Sequence, residues 1–240
     1  MGVLILLLAI VVGIWWLVFA KTDYMLKSFL PPEEQQIFKQ RNSEQRQVMR
    51  YFVLGGCVGS GAMSDMEYDN LLKSRINSLN LKQRAINKIG LDDSELTEVE
   101  PAHFENYFFN DKAKTLTSYG QDGKTRSSAY QVTWVFANAT QVYLYQYTLH
   151  MDKDAQKEHI QEYFWKDITN FSSTNETVET LKPTVSWIAP KVTMTKMNVN
   201  TNCFTLIVPG DKVECSMEAN DHTDRSIKAM KTKLREKKGM

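Results

Sequence analysis

The most hydrophobic part of the chain is its amino-terminal end, where every position from Val3 to Ala20 is apolar or glycine. A run of this size lies at the lower end of the roughly 17–25 residues that a helix needs to cross a bilayer. Trp15 and Trp16 lie near one end of the run, and aromatic rings favour the membrane interface. The pattern therefore predicts a transmembrane anchor over residues 1–21.

Charged residues around this segment predict its orientation in the membrane and whether it is cleaved. Lys21 and Lys27 follow the run and no basic residue precedes it, so the positive-inside rule predicts a cytoplasmic domain. The alternative is a cleaved signal peptide, because Val18-Phe19-Ala20 is similar to a cleavage site. The missing basic n-region and the length of the run favour an uncleaved signal anchor.

Residues 22–100 show helical spacing of apolar and polar positions. A polar helix is predicted over 33–49, and the apolar, glycine-rich stretch 51–63 is too short for a second span and predicts a buried packing helix. Leucine, isoleucine and alanine recur at helical spacing over 68–89, which predicts one amphipathic helix. The acidic stretch 92–100 is predicted to be a linker.

From Phe104 onward the apolar positions recur at every second residue, which is the period of a half-buried strand. Asp122-Gly123 is a hairpin signal, and Pro209-Gly210-Asp211 is a later turn. Evenly spaced short strands with turns between them predict an antiparallel barrel or sandwich over residues 101–240. One strand face is predicted to lie in the barrel core, and it holds Tyr130, Val132, Trp134 and Phe136.

A single helix is predicted to end the chain and to close the open end of the barrel. Its amino end carries side-chain oxygens that suit an N-cap, supplied by Asp221, Thr223 and Asp224. Its apolar stripe is narrow and consists of Ile227, Met230 and Leu234. The predicted fold class is therefore α+β, with a transmembrane helix, a helical middle segment and a β-domain capped by a helix.

Composition narrows the classes of function. The formal net charge of +1 argues against a nucleic-acid-binding protein. Cys57, Cys203 and Cys215 form no C-x-x-C pair and predict ordinary thiols rather than a disulfide or a metal site. The histidines lack metal-ligand spacing and no phosphate-binding loop occurs. We therefore predict no catalytic residue, no metal and no cofactor.

The carboxyl-terminal half is similar to a known type of domain. Its roughly seven predicted strands followed by one helix resemble a pleckstrin-homology-like (PH-like) barrel. The sequence also resembles an uncharacterised bacterial family of membrane-anchored proteins with a PH-like domain. The segments that carry the similarity are Leu81 to Phe108, Tyr130 to Trp134, Gln141 to Tyr147, Tyr163 to Phe171, Val208 to Lys212 and Lys231 to Lys238. The resemblance implies a scaffold that serves mainly binding.

Basic residues surround the first predicted hairpin in a way that is similar to phosphoinositide-binding PH domains. Lys112 and Lys114 precede the turn, and Lys124 and Arg126 follow it. The resemblance implies that these four cations bind a phosphorylated head group or a partner through charge-assisted hydrogen bonds. Solvated turn residues are the simpler interpretation of the same pattern.

The sequence thus predicts a non-catalytic, membrane-anchored interaction module at the cytoplasmic face of a membrane. Its sheet edges and basic turn are expected to contact a partner protein or a second copy of the chain. One alternative is binding of anionic lipid by the first hairpin and the carboxyl-terminal lysines. A second alternative is an unrecognised enzyme.

Overall fold

The structure is a computed structural model of the chain. It describes residues 10, 13, 26–27, 30, 32–55, 62–92, 96, 99–110, 115–186 and 191–239. This part of the chain is an α+β protein whose named strands pair in antiparallel sheets.

The predicted transmembrane helix is corrected by the structure. Apart from Ile10 and Gly13, the run from Val3 to Ala20 lies outside the described residues. Within the described part, none of the helices has the length and the apolar character needed to cross a membrane. The fold class of the described chain is therefore α+β without a transmembrane helix, and the cytoplasmic placement that depended on such a helix stays a prediction.

Four helices precede the strands in the described part of the chain: α1 (Pro32–Gln40), α2 (Ser43–Leu54), α3 (Asp65–Ser78) and α4 (Leu81–Ile89). The two longest predicted helices are thus each divided in two. Between α1 and α2, the Asn42 side chain accepts from the Gln45 N–H and the Gln45 side chain accepts from the Asn42 N–H. This capping box starts a new helix. Asn80 separates α3 from α4 with φ 44, a left-handed conformation that asparagine tolerates.

The predicted packing helix over 51–63 is described only in part. Tyr51, Phe52, Val53 and Leu54 form the buried end of α2, whereas residues 56–61 lie outside the described chain. The burial predicted for this segment is confirmed for residues 51–54, whereas Gly55 is exposed and Ala62 and Met63 are half-buried.

Nine strands follow in the described residues: β1 (Ala102–Tyr107), β2 (Thr117–Tyr119), β3 (Thr125–Ser127), β4 (Ala129–Ala137), β5 (Gln141–His150), β6 (Gln156–Phe164), β7 (Asn170–Ser186), β8 (Lys191–Val208) and β9 (Asp211–Met217). One sheet has the order β1-β4-β5-β6, a second has the order β7-β8-β9, and β2 pairs with β3. The predicted turns are confirmed, since Gly123 (φ 79) ends the β2–β3 turn and Gly210 (φ 83) lies between β8 and β9.

β8 is one continuous strand of 18 residues, although the sequence predicts evenly spaced short strands. The polar stretch in its middle hides the alternation of apolar residues. Cross-strand hydrogen bonds to β7 hold this stretch, because Thr177 Oγ1 donates to Asn200 Oδ1 (2.8 Å) and Asn175 Nδ2 donates to Asn202 Oδ1 (3.0 Å).

The four-stranded sheet is covered on both faces at its centre, where β4 and β5 are mostly buried. Its inner face packs on the second sheet and on the terminal helix α5 (Asp221–Lys237), in a core that includes Val135, Leu144 and Phe204. Its outer face packs on α2, α3 and α4 in a second core that includes Phe136 and Tyr145. The helical segment and the sheet therefore share a core.

Trp134 does not lie in the barrel core, so that prediction is wrong. It is half-buried on the outer face, where its ring stacks on His103 (4.4 Å between centroids) and Lys82 Nζ lies 5.4 Å from its ring centroid. Alternation correctly indicates that Val132 and Phe136 share a buried face. It does not tell which elements cover that face.

The helix α5 is an integral part of the fold, as predicted. It buries Ile227, Met230 and Leu234 in the core beneath β1 and β7. The N-cap is Asn220, one residue before the predicted oxygens, and its side chain accepts from the backbone N–H of Thr223 (3.0 Å).

Candidate binding groove

A groove of about 790 Å³ opens between the two sheets. One wall is formed by β8 and the opposite wall by β1. Helix α3 and the β2–β3 hairpin close one end, which we call the hairpin end. Glu105 and Glu218 lie at the other end, which we call the glutamate end.

The strand β8 presents its edge to this groove. The six consecutive residues from Met197 to Asn202 all line it. Alternate side chains of a strand point to opposite faces, so consecutive lining residues indicate that the backbone edge itself faces the groove. On the opposite wall, Glu105, Asn106 and Tyr107 are also consecutive.

The groove begins where β9 ends. β8 pairs with β7 along nearly its whole length, but with β9 only from Asn202 to Val208. Beyond Met217 the chain turns to β1, because the Glu218 N–H donates to the carbonyl of Glu105 (3.0 Å). The Asn106 side chain also donates to the carbonyl of Met217 (2.8 Å). The groove therefore continues the line of β9 between β8 and β1. Among the described residues, no strand pairs with this edge of β8 from 197 to 201, which we call the open edge.

A buried arginine fixes the hairpin end of the groove. Arg126 is 1% exposed, and its Nε and Nη2 atoms each donate to Asp69 (both 2.8 Å). Its Nη1 and Nη2 atoms donate to Asp122 (2.8 and 2.7 Å). Two bidentate carboxylates thus connect helix α3 to the hairpin through one guanidinium group.

The electrostatics of this cluster follow from its hydrogen bonds. The hydrogen bonds from Arg126 hold the pKa of Asp122 well below its usual range. Burial tends to raise the pKa of Asp69, but the hydrogen bonds from Arg126 and Tyr107 outweigh it and the pKa is lowered. Both carboxyl groups are therefore charged near neutral pH, and the cluster stays intact there.

The turn of the hairpin is held by a third carboxylate. Asp65, the first residue of α3, accepts from the Gln121 N–H (2.7 Å) and from the Tyr51 hydroxyl (2.7 Å). A Cβ atom at Gly120 would collide with Arg126 Nη1 and lie 2.6 Å from Asp122 Oδ1. A side chain at Gly120 would therefore require the ends of the Arg126 and Asp122 side chains to shift.

Most residues that line the groove are polar, but they surround an apolar and aromatic patch, which we call the floor. It includes Leu72 and Ile76 from α3, Tyr107 and Phe109 near the end of β1, and Tyr130 from β4. Burial raises the pKa of Tyr107 and of Tyr130, so both phenols are neutral at physiological pH. An apolar patch beside an open backbone edge suits an extended polypeptide, whose backbone pairs with the edge while its apolar side chains contact the patch.

The four cations predicted from the resemblance are not brought together in the described structure. Lys112 and Lys114 lie outside the described residues. Lys124 is exposed and lines the groove. Arg126 is buried, and Asp69 and Asp122 occupy its donors. The geometry of Arg126 therefore does not favour a contact with a head group, and head-group binding by this set stays a prediction.

Sequence reasoning missed the acidic residues that organise this site. Asp65 and Asp69 are one helical turn apart, which is a local signal that both face one direction. Their partner Arg126 is 57 residues from Asp69, so nothing local connects them. The open edge of β8 also leaves a signal, namely the uncharged segment from Met197 to Thr201.

A second buried polar cluster lies away from the groove, at the turn between β5 and β6. Arg41 Nε donates to the carbonyl of Asp152 (2.7 Å), and its Nη2 atom lies 3.8 Å from the Asp152 carboxylate. Burial lowers the pKa of His150 to about 4, and the charge of Lys153 adds to this shift. This cluster anchors the α1–α2 junction to the sheet.

Among the described residues, no group of three or more histidine, cysteine, aspartate or glutamate side chains is arranged to hold a metal ion. Cys203 and Cys215 are free thiols, as predicted. Burial raises the pKa of Cys203 to about 11 and that of Cys215 to about 12, so neither is a ready nucleophile. Cys57 lies outside the described residues, and the prediction that the protein is not an enzyme stays a prediction.

Comparison with protein-family models, with curated proteins and with solved structures found no match. The PH-like resemblance therefore stays a prediction. The described chain does contain sheets of four and three strands followed by one helix, with the β2–β3 hairpin inserted after β1.

Proposed function

We propose that the protein is a non-catalytic binding module that takes up an extended segment of a partner protein as an added strand along β8. The observation that carries this proposal is the open, uncharged edge from Met197 to Thr201, which lines the groove. In strand addition, backbone hydrogen bonds to the edge supply affinity and alternate side-chain contacts supply specificity.

The sequence of this edge supports the proposal. Natural sheets protect open edges with charged residues, prolines or bulges. The segment from Met197 to Thr201 reads Met-Asn-Val-Asn-Thr and contains neither a charged residue nor a proline. A groove also shields this edge from the flat edge of another folded sheet. The proposal requires a single extended chain to enter the groove, and the edge is then selective for such a chain.

The dimensions of the groove suit a short strand. A strand advances about 3.3 Å per residue, so the open edge pairs with a segment of similar length to its own. The groove volume of about 790 Å³ also lies within the range of roughly 300–1,000 Å³ that is usual for ligand pockets.

The floor of the groove predicts the side-chain pattern of the guest. Alternate side chains of an added strand point toward the floor, where Leu72, Tyr107 and Tyr130 lie. Those positions should be apolar, and the positions between them should be polar because they face solvent.

A labelled heptapeptide with this pattern, Ac-Gln-Val-Thr-Val-Thr-Val-Gln-NH₂, tests the proposal by fluorescence anisotropy with the full-length chain. We expect saturable binding. The same peptide with its central residues N-methylated should bind at least about tenfold more weakly, since it lacks the N–H donors of a strand. Equal binding of the two peptides, or no binding of either, contradicts strand addition.

A pair of variants of the same strand tests the location. Asn198 is exposed and lines the groove, whereas Thr193 is exposed on β8 outside it. Asn198→Lys should weaken heptapeptide binding about tenfold or more, because a lysine on an edge opposes pairing. Thr193→Lys is the matched control and should bind like the parent. Equal effects of the two variants overturn the location.

Sedimentation of the same two variants tests the occupant. If the parent chain self-associates and Asn198→Lys alone abolishes this, the occupant is a second copy and the proposal of a separate partner is wrong. A monomeric parent that binds the heptapeptide supports the proposal.

A further inference from the structure

We infer that the guest segment runs antiparallel to β8, with a basic residue near its amino end and an acidic residue near its carboxyl end. This inference rests on the proposed function and specifies the chemistry of the partner at the same site.

The orientation follows from the position of β9. β9 runs antiparallel to β8 and ends at Met217, opposite Asn202. The groove continues the line of β9, so an antiparallel guest extends the existing ladder in the same hydrogen-bond pattern. Antiparallel pairing is also slightly more stable per residue than parallel pairing.

The ladder to β7 shows which part of the β8 edge lies at which end of the groove. Met197 pairs with Thr180 of β7, and the Thr180 hydroxyl hydrogen-bonds the Thr117 hydroxyl of the hairpin (2.7 Å). Met197 is therefore at the hairpin end. Asn202 pairs with Met217, next to Glu218, and is at the glutamate end. An antiparallel guest thus enters at the glutamate end and finishes at the hairpin end.

The exposed charged side chains that line the groove have opposite signs at its two ends. Glu105 and Glu218 lie together at the glutamate end, joined by the backbone hydrogen bond between them (3.0 Å). At the hairpin end, Lys73 and Lys124 are exposed and line the groove. They lie beside the cluster in which Asp69 and Asp122 already accept hydrogen bonds from Arg126. Lys73 lies one helical turn after Asp69, so it projects from the same side of α3.

Charge complementarity then assigns the ends of the guest. A lysine or arginine at its amino end meets the two glutamates, and an aspartate or glutamate at its carboxyl end meets the two lysines. Complementary charges of this kind fix register and orientation more than they raise affinity.

Two heptapeptides of identical composition test the assignment with the full-length chain. The forward peptide is Ac-Lys-Val-Thr-Val-Thr-Val-Glu-NH₂, and the reversed peptide exchanges its terminal Lys and Glu. Both have the same net charge and the same apolar residues. We expect the forward peptide to bind about fivefold tighter or more at low salt, and the difference to shrink as ionic strength rises.

A charge-exchanged protein supplies the reciprocal test. In a Lys124→Glu, Glu218→Lys variant, the preference should disappear or change to the reversed peptide. Both side chains are exposed, so the variant should fold like the parent. Circular dichroism checks this directly.

The outcomes separate this inference from the function on which it rests. Equal affinity of the two peptides, with binding still lost in Asn198→Lys, overturns the assignment of ends and leaves strand addition in place. A preference of the parent chain for the reversed peptide overturns the antiparallel orientation. Failure of both charged peptides and of the neutral heptapeptide to bind overturns the proposed function itself.

Discussion

Two of the unpaired strand edges in the described part of the chain differ in almost every respect. β6 is the outermost strand of the four-stranded sheet and carries charged residues along its edge, including Lys157, Glu158 and Glu162. The edge of β8 from Met197 to Thr201 is uncharged and lies inside a groove. The difference teaches that an unpaired edge is not a binding site by itself. Its residues and its surroundings decide whether another strand can add to it.

The helices reinforce this contrast at β6. Glu158 accepts two hydrogen bonds from Arg84 of α4 (2.9 and 2.8 Å) and one from Lys88 (2.6 Å). A carboxylate engaged in this way keeps a helix beside the strand. The Arg126 cluster instead holds α3 and the hairpin at the end of the groove, and the edge of β8 inside the groove stays open.

The largest expected effect concerns an aromatic contact between β1 and β8, the two strands that form the walls of the groove. Phe104 of β1 is fully buried and stacks on Phe204 of β8, with 4.5 Å between the ring centroids. Phe104→Ala should lower the free energy of unfolding by about 3–5 kcal/mol, because it leaves a cavity between the sheets. Ile160→Ala on β6, where the side chain is 36% exposed, should lower it by about 1 kcal/mol or less. Urea denaturation measures both, and equal losses contradict this account of the core.

The next effect concerns the wall at the hairpin end. Arg126→Leu leaves Asp69 and Asp122 without their partner and should lower the free energy of unfolding by about 3 kcal/mol. Lys124→Leu, two residues away on the exposed turn, should change it by less than about 0.5 kcal/mol. At temperatures at which the Arg126→Leu variant is still folded, it should also bind the heptapeptide more weakly than the parent chain. A variant that melts and binds like the parent shows that the cluster does not hold the groove.

Acid should loosen the β6 side of the molecule before the groove. Burial lowers the pKa of His150 from 6.5 to about 4, so the folded chain binds this proton less readily than the unfolded chain. Its contribution is fully present above pH 6.5 and is lost as the pH falls toward about 4, by up to about 3 kcal/mol. Burial raises the pKa of Asp152, so protonation of that carboxyl group offsets part of the loss.

Urea midpoints between pH 7 and about 4 measure this effect. The parent chain should lose stability across that range, and His150→Gln should show a flatter dependence. Parallel curves for the two chains contradict the assignment to His150.

The smallest expected effect is a gain at β6. Lys157→Thr with Glu162→Thr removes two exposed charges from its edge and should permit weak pairing with the neutral heptapeptide. Asn198→Lys in the same chain weakens binding in the groove, so the gain at β6 is measured against the Asn198→Lys variant with the native β6. The affinity should rise a few-fold above that of Asn198→Lys but stay below that of the parent groove, because β6 has no apolar floor. No gain shows that these two charges do not protect the edge.

The sequence predicted the elements that depend on residues close together in the chain. The stripe of Ile227, Met230 and Leu234 identified the buried face of α5, and the glycines at 123 and 210 marked turns that need positive φ. The apolar run at the amino end predicted a transmembrane helix, and this prediction is corrected because the described residues contain no spanning helix.

The groove could not be predicted because it depends on contacts that are distant in sequence. β8 spans Lys191–Val208, but β9 pairs only with its part from Asn202 to Val208. The preceding part of this edge of β8 is therefore not paired with β9. Periodicity within either strand says nothing about how far their ladder extends. The face of Trp134 was assigned wrongly for a similar reason, since alternation reveals a buried face but not the helices that cover it.

Hydrogen exchange of the full-length chain, with and without saturating forward heptapeptide, tests the central claim most directly. Strand addition must protect backbone amides along the β8 edge. The account predicts slower exchange in fragments that contain Met197–Thr201 and Glu105–Tyr107, with no change in fragments from β6. Slower exchange at β6, or none along β8 while the peptide is bound, contradicts the account.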